Sequence, residues 1–148
     1  MEISAEESTG NWYESFPGKG AVYDLSAAAL SGPDTEGRLR AVTGLGKSGD
    51  PRAVRPLIDL VADHDPDIRR GAISALCELK SGRSVEVLIE RLRDKSEQSD
   101  IRRLAAETLA AIRSTGALRE LNEFAADAKE DTDLRSYTSA LLAHLGTV

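Results

Sequence analysis

A short pattern of residues recurs four times between positions 34 and 145. In each copy an arginine is followed three positions later by a pair of small or β-branched residues, and seven positions later by a leucine. The four arginines are Arg38, Arg69, Arg102 and Arg135, so the copies lie 31, 33 and 33 residues apart. A near-constant period of this size is typical of repeat arrays, in which each unit buries its apolar face against its neighbours. Such arrays are usually binding surfaces, and they perform chemistry only where specific residues are added.

Each period predicts two helices. In the second copy, Ile68, Ala72, Ile73, Leu76 and Leu79 form one stripe of a 3.6-residue helix. The predicted first helices span 22–30, 53–62, 85–93 and 118–128, and the predicted second helices span 36–47, 67–80, 100–113 and 133–145. We therefore expect an all-α, right-handed α-solenoid of about four helix pairs.

Turn residues support these boundaries. Asp65-Pro66-Asp67 is typical of a helix start, because proline suits the first turn and acidic residues oppose the positive end of the helix dipole. Gly49 and Ser81-Gly82 fall at predicted helix ends, where glycine tolerates a left-handed cap.

The composition constrains the core and the expected cellular location of the protein. Aromatic residues make up only 4% of the 148 residues, so the core must consist of Leu, Ile, Val and Ala. Apolar runs such as 27–30 are too short to span a bilayer, and the acidic N-terminus has no apolar segment typical of a secretory signal. The single cysteine, Cys77, has no internal partner, so we expect a cytoplasmic protein that does not bind membranes.

The net charge of −6 is unevenly distributed. Residues 1–33 contain five acidic residues and one lysine, whereas the remainder contains 20 acidic and 18 basic residues. The repeat array is therefore almost neutral. A nucleic-acid-binding surface normally carries a clear basic excess, so we expect no nucleic-acid partner, including damaged DNA.

Two segments of the array resemble a known family. Leu45-Gly46-Lys47-Ser48-Gly49-Asp50-Pro51-Arg52-Ala53-Val54, followed by Pro56-Leu57-Ile58, is similar to the consensus of prokaryotic HEAT repeats of the phycobilisome-lyase type. Asp65-Pro66-Asp67-Ile68-Arg69-Arg70-Gly71-Ala72 resembles the start of the second helix of such a unit. The resemblance covers about residues 22–146. It implies the solenoid fold, but it does not imply one function, because the family includes bilin lyase subunits, scaffold proteins and iron-dependent hydroxylases.

The chain departs from the family pattern in its first unit. Gly37 stands where Val or Ile is expected before Arg38, and the first helix has alanines where the next copy has Leu57 and Ile58. Such drift is typical of a terminal capping unit.

Three candidate chemical sites have simpler structural explanations. The HEAT-repeat hydroxylases hold iron with His-Glu pairs, but here His64 precedes Asp65 and His144 precedes Leu145, so we expect no metal. The segment 44–48 resembles a phosphate-binding loop, but Ala41 replaces its first glycine and a helical pattern precedes it, so we expect a helix end. Cys77 aligns with small residues in the other copies, which predicts close packing. We therefore expect no catalytic residue and no cofactor.

An acidic residue stands two positions before each of the four arginines. One interpretation is a row of arginines that binds carboxylates or phosphates. The other is a structural ladder, in which each arginine pairs with an acidic residue of its own or the adjacent repeat. The presence of the pattern in every copy favours the ladder, because a functional site usually breaks the symmetry of a repeat.

The function expected from these observations is a non-catalytic protein-interaction or scaffold module, a monomer or weak homodimer, which binds a polypeptide on a concave face lined by the second helices. The alternative, permitted by the resemblance, is an accessory subunit of a bilin-lyase-like or other cofactor-maturation enzyme. Candidate contact residues are the polar or unmatched positions between the core stripes: Leu39, Arg40, Thr43, Arg70, Ser74, Glu78, Arg103 and Glu107.

Residues 1–20 lack a helical period and are expected to be an extension of the repeat domain, which we place at 21–148. The extension contains Trp12, Tyr13 and Phe16, three of the six aromatic residues. These side chains either dock a partner, since aromatic residues often dominate binding, or cap the exposed core edge of the first repeat. The weak first helix leaves room for large side chains, which favours the cap.

Overall fold

The computed structural model describes residues 20–146, which form eight α-helices and no β-strand. The helices are α1 (Gly20–Ser31), α2 (Thr35–Lys47), α3 (Val54–Leu60), α4 (Pro66–Leu79), α5 (Val85–Arg93), α6 (Ser99–Ile112), α7 (Thr115–Ala126) and α8 (Thr132–Gly146). Short 3₁₀ turns at Pro51–Ala53 and Gly82–Ser84 lead into α3 and α5. The predicted all-α solenoid of four helix pairs is confirmed.

The pairs stack in chain order. Each odd-numbered helix packs on the helix that follows it, and the second helices α2, α4, α6 and α8 pack side by side in a row. Equivalent leucines of the second helices, Leu45, Leu76 and Leu109, are fully buried. One cluster of buried residues extends from Val22 in α1 to Leu134 in α8, so the core between the two helix layers runs through all four repeats.

Capping residues explain where the helices begin and end. The carboxylate of Asp65 accepts a hydrogen bond from the backbone N–H of Asp67, and Pro66 occupies the first turn, as predicted. Gly49 has the left-handed φ of 65° expected of it. The prediction of a glycine cap at Ser81-Gly82 is wrong, because the left-handed residue is Lys80, with φ of 50°. The Lys80 N–H still bonds to the carbonyl of Leu76, which satisfies the helix end without glycine.

Helices α2 and α4 approach each other closely at Gly46. A Cβ atom added at Gly46 would lie 2.8 Å from the Cβ of Ala75 and 2.9 Å from its Cα. The small residue expected at this position is therefore required by packing. The equivalent residue of the next repeat, Cys77, is half-buried rather than enclosed, so the expectation of tight packing does not hold there.

Helix α1 leaves two large apolar side chains exposed. Tyr23 is 75% exposed and Leu30 is 45% exposed. Trp12, Tyr13 and Phe16 lie outside the described residues, so the capping role of these aromatic residues stays a prediction. Along residues 20–146, none of the helices has the length and apolar character needed to cross a membrane.

Candidate functional site

The second helices share one surface, which we call the second-helix face: the polar and unmatched positions of α2, α4, α6 and α8 that lie outside the core stripes. Between α2 and α4 this face forms an open groove of about 360 Å³. Five of the predicted contact residues line it: Leu39, Thr43, Arg70, Ser74 and Glu78. Asp67, Gly71 and Ala75 complete the lining, so the groove has an apolar part between charged side chains.

Arg40, a predicted contact residue on α2, is largely exposed. Its guanidinium is 3.3 Å from the carboxylate of Glu36, one helical turn earlier, and the two side chains are 72% and 85% exposed. An exposed pair at this spacing contributes only about 0.3–0.5 kcal/mol, so a partner could replace it at little cost.

Arg70 is instead held by its neighbours. Its Nε donates to Asp100 at 2.7 Å, and its two terminal nitrogens donate to Asp67 at 2.9 Å and to the side chain of Gln98 at 3.0 Å. The hydrogen bond to Asp100 is the main cause of a raised pKa for Arg70. Arg70 therefore joins α4 to the start of α6 and forms one wall of the groove in a fixed orientation.

Between α6 and α8, Arg103 and Glu107 meet an aromatic residue that sequence reasoning did not select. The guanidinium carbon of Arg103 lies 5.5 Å from the ring centre of Tyr137, and the hydroxyl of Tyr137 donates to the carboxylate of Glu107. Burial and the Glu107 hydrogen bond raise the pKa of Tyr137 to about 12. The sequence does contain a signal for Tyr137, because it is the only aromatic residue in the four predicted second helices.

A second feature, the arginine ladder, lies at the edge where first helices turn into second helices. Its three ion pairs are Arg38–Asp63 at 2.5 Å, Arg69–Glu97 at 2.7 Å and Arg102–Glu130 at 2.9 Å. Each pair joins the second helix of one repeat to the loop of the next repeat. The ladder interpretation is therefore confirmed for three of the four arginines. Their partners are loop residues and not the acidic residues two positions before each arginine.

Glu97 is the most enclosed carboxylate of the ladder, with no exposed side-chain surface. It accepts two hydrogen bonds from Arg69, one from Arg91 at 3.0 Å and one from the backbone N–H of Gln98. Burial would raise the pKa of Glu97, but these hydrogen bonds and the arginine charges lower it to about 2. Glu97 is therefore ionised at neutral pH and is shared by two arginines.

The comparison with models of protein families agrees with the observed fold. Residues 24–99 and 72–142 match the family model described as HEAT repeats. The chain belongs to the HEAT-repeat family. No curated protein is significantly similar to the sequence.

Among solved structures, the HEAT-repeat chain resembles human deoxyhypusine hydroxylase in complex with glycerol, with a TM-score of 0.76 and 18% sequence identity. The match covers 91% of this chain and 46% of that chain, so the present chain spans less than half of the hydroxylase. At this level of identity the likeness establishes the fold alone.

The candidate metal-binding and phosphate-binding residues lie in different parts of the HEAT array. Within residues 20–146, no group of three or more His, Cys, Asp or Glu side chains is placed to hold a metal ion. His64 is 89% exposed and lies 3.5 Å from Asp63. The segment 44–48 that resembles a phosphate-binding loop forms the last turn of α2 and its cap.

Proposed function

We propose that this HEAT-repeat chain is a non-catalytic interaction module that binds a polypeptide partner on the second-helix face. The observation that carries the proposal is the groove between α2 and α4, which five of the predicted contact residues line. Curved repeat arrays use extended concave surfaces for binding, and we expect the second-helix face to be the concave side of this array.

The lining of the groove favours a polypeptide. Leu39, Gly71 and Ala75 offer apolar surface. The charged lining residues are one basic residue, Arg70, and two acidic residues, Asp67 and Glu78. A side chain with an aliphatic stem and a polar end would contact both parts. Phosphate chains require a basic groove, and the mixed charge here disfavours them.

The same face continues beyond the groove. Arg103 and Glu107 both contact the ring or hydroxyl of Tyr137. Tyrosine and arginine are both enriched where proteins bind each other. A partner that spans α2 to α8 would contact both the groove and this cluster. The proposal includes no cofactor, a cytoplasmic location in keeping with the single cysteine, and a monomer or weak homodimer.

The test compares two variants that add the same bulky side chain on opposite sides of the array. Ser74→Trp fills the groove, whereas Glu86→Trp lies at an exposed position of α5, the first helix of the third pair. A partner isolated with the parent chain should bind Ser74→Trp at least about tenfold more weakly and bind Glu86→Trp unchanged. Equal affinities of the two variants would refute binding at the groove.

The phycobilisome-lyase resemblance provides the competing outcome. The purified chain should not shift the absorbance spectrum of an added bilin, because the proposal assigns it no tetrapyrrole site. A saturable spectral shift that Ser74→Trp removes would instead favour an accessory subunit of a bilin-lyase-like enzyme.

A further inference from the structure

The fourth arginine of the ladder, Arg135, has the same anchor as Arg38 and Arg102 but lacks an acidic partner. Its Nε donates to the carbonyl of Ala125 at 3.1 Å. Arg38 and Arg102 donate in the same way, to the carbonyls of Ala29 and Leu92. Among residues 20–146, no carboxylate lies within ion-pairing distance of Arg135.

The anchor determines what the rest of the guanidinium can reach. In Arg38 and Arg102, Nε is fixed on the preceding helix and the terminal nitrogens bind Asp63 and Glu130 of the next repeat. The same anchor therefore turns the terminal nitrogens of Arg135 toward the equivalent position beside α8. An arginine fixed in this way binds a carboxylate with less loss of side-chain freedom than a mobile surface arginine.

An open hollow lies at that position. Its volume is about 400 Å³, and Arg135 lines it together with Ala125, Thr132, Ser136 and Ser139. Three of these residues carry hydroxyl groups, which can donate to a carboxylate alongside the guanidinium. The hollow therefore combines one fixed positive charge with several neutral donors.

The side chains of α8 also indicate which occupant fits. Ser139 is exposed, although its equivalents Val42, Ile73 and Ala106 are fully buried against the next repeat. A further helix pair packed here would place a serine hydroxyl in its apolar contact. A polar segment carrying an acidic side chain matches this surface better than an apolar helix does.

We propose that the hollow at Arg135 is a docking site for an Asp or Glu side chain of a partner polypeptide, which completes the fourth rung of the arginine ladder. Ser136 of the hollow belongs to the second-helix face, but the groove lies between α2 and α4 and shares no residue with the hollow, so binding at the two places can be tested separately. The proposal makes the ladder both a link between repeats and, at α8, a recognition element.

A peptide with the sequence of residues 127–133 is a suitable probe, because Glu130 in this loop is the acidic partner of Arg102. We expect it to shift the Arg135 side-chain Nε–H signal of the ¹⁵N-labelled full chain in a saturable way. Replacing Glu130→Gln in the peptide should weaken binding by about fivefold or more, since the charge-assisted bonds are lost. Absence of a saturable shift, or equal binding of the two peptides, would overturn the proposal.

Variants of the chain locate the site. Arg135→Gln should reduce the shifts of the Ser136 and Ser139 amides, whereas Arg119→Gln, at an exposed arginine of α7, should leave them unchanged. Ser139→Glu is a second test at an exposed position, because it supplies a carboxylate within the chain and should block the peptide. Undiminished binding by folded Arg135→Gln, or by Ser139→Glu, would refute the assignment.

Discussion

Replacing Glu97 by alanine should be among the most destabilising single changes in this chain. The side chain is fully enclosed between Arg69 and Arg91, which are themselves only 16% and 17% exposed. Glu97→Ala removes the carboxylate and leaves both arginines partly buried without it. The lost interactions join α4, α5 and the start of α6, so no single helix can relax to replace them.

Two independent arguments give the magnitude. The pKa of Glu97 falls from 4.5 to about 2, and at about 1.36 kcal/mol per unit this corresponds to about 3 kcal/mol in favour of the ionised form. Removing one partner of a buried ion pair typically costs about 3–5 kcal/mol, because the remaining charge is unpaired. We therefore expect Glu97→Ala to lower the free energy of unfolding by about 3–5 kcal/mol.

Urea unfolding followed by circular dichroism measures this difference, provided the denaturant slope is unchanged. Glu36→Ala is the matched control, because Glu36 also pairs with an arginine but in full exposure to solvent, and it should cost no more than about 0.5 kcal/mol. A loss below about 1 kcal/mol for Glu97→Ala, or equal losses for both variants, would show that the ladder does not stabilise the array.

Four further changes test other parts of the structure. Leu76→Ala should cost about 2–5 kcal/mol in urea unfolding, because the side chain is fully buried. Gly46→Ala should destabilise by about 1–3 kcal/mol through overpacking, whereas Gly116→Ala, whose Cβ would meet only Nη2 of Arg119 at 3.9 Å, should be neutral or stabilise by up to about 1 kcal/mol. Because the pKa of Glu97 is depressed, its contribution is complete above about pH 5 and disappears toward pH 2, so unfolding free energies across this range should fall less steeply in Glu97→Gln. An ultraviolet titration should show the phenol of Tyr137 ionising near pH 12, and Glu107→Gln should lower that pKa.

The helices were predictable because each one carries its own local signals. The stripe from Ile68 to Leu79 has the helical period, and Asp65-Pro66 marks the start of α4. The observed boundaries lie within three residues of those predicted. The left-handed caps at Lys80 and Arg113 were not predicted, because neither residue is a glycine. In each case a backbone hydrogen bond to the preceding turn stabilises the cap.

The ladder was only partly predictable. The period identified Arg38, Arg69 and Arg102 as equivalent, but it did not identify their partners, since a contact between adjacent repeats depends on how the helices stack. A signal was present: Asp63, Glu97 and Glu130 each precede the arginine of their own second helix by five or six residues. Glu97 lies in the most polar loop of the array, so composition indicated exposure where the structure buries the side chain.

The sequence predicted which groove residues lie at the surface, but it did not predict that they form a groove. Helical periodicity placed Thr43, Ser74 and Glu78 outside the core, which is enough to select them as candidate contacts. Their convergence on one groove depends on the close approach of α2 and α4 at Gly46. The cluster around Tyr137 likewise requires two neighbouring repeats, so neither repeat reveals it alone.

Site-specific photo-crosslinking tests the central claim, polypeptide binding on the second-helix face, most directly. A photoreactive phenylalanine analogue placed at Ser74 would lie in the groove, and the same residue at Glu86 would lie on the opposite side of the array. We predict that the bound partner crosslinks efficiently from position 74 and weakly or not at all from position 86. Crosslinking from position 86 that equals or exceeds that from position 74 would contradict the account.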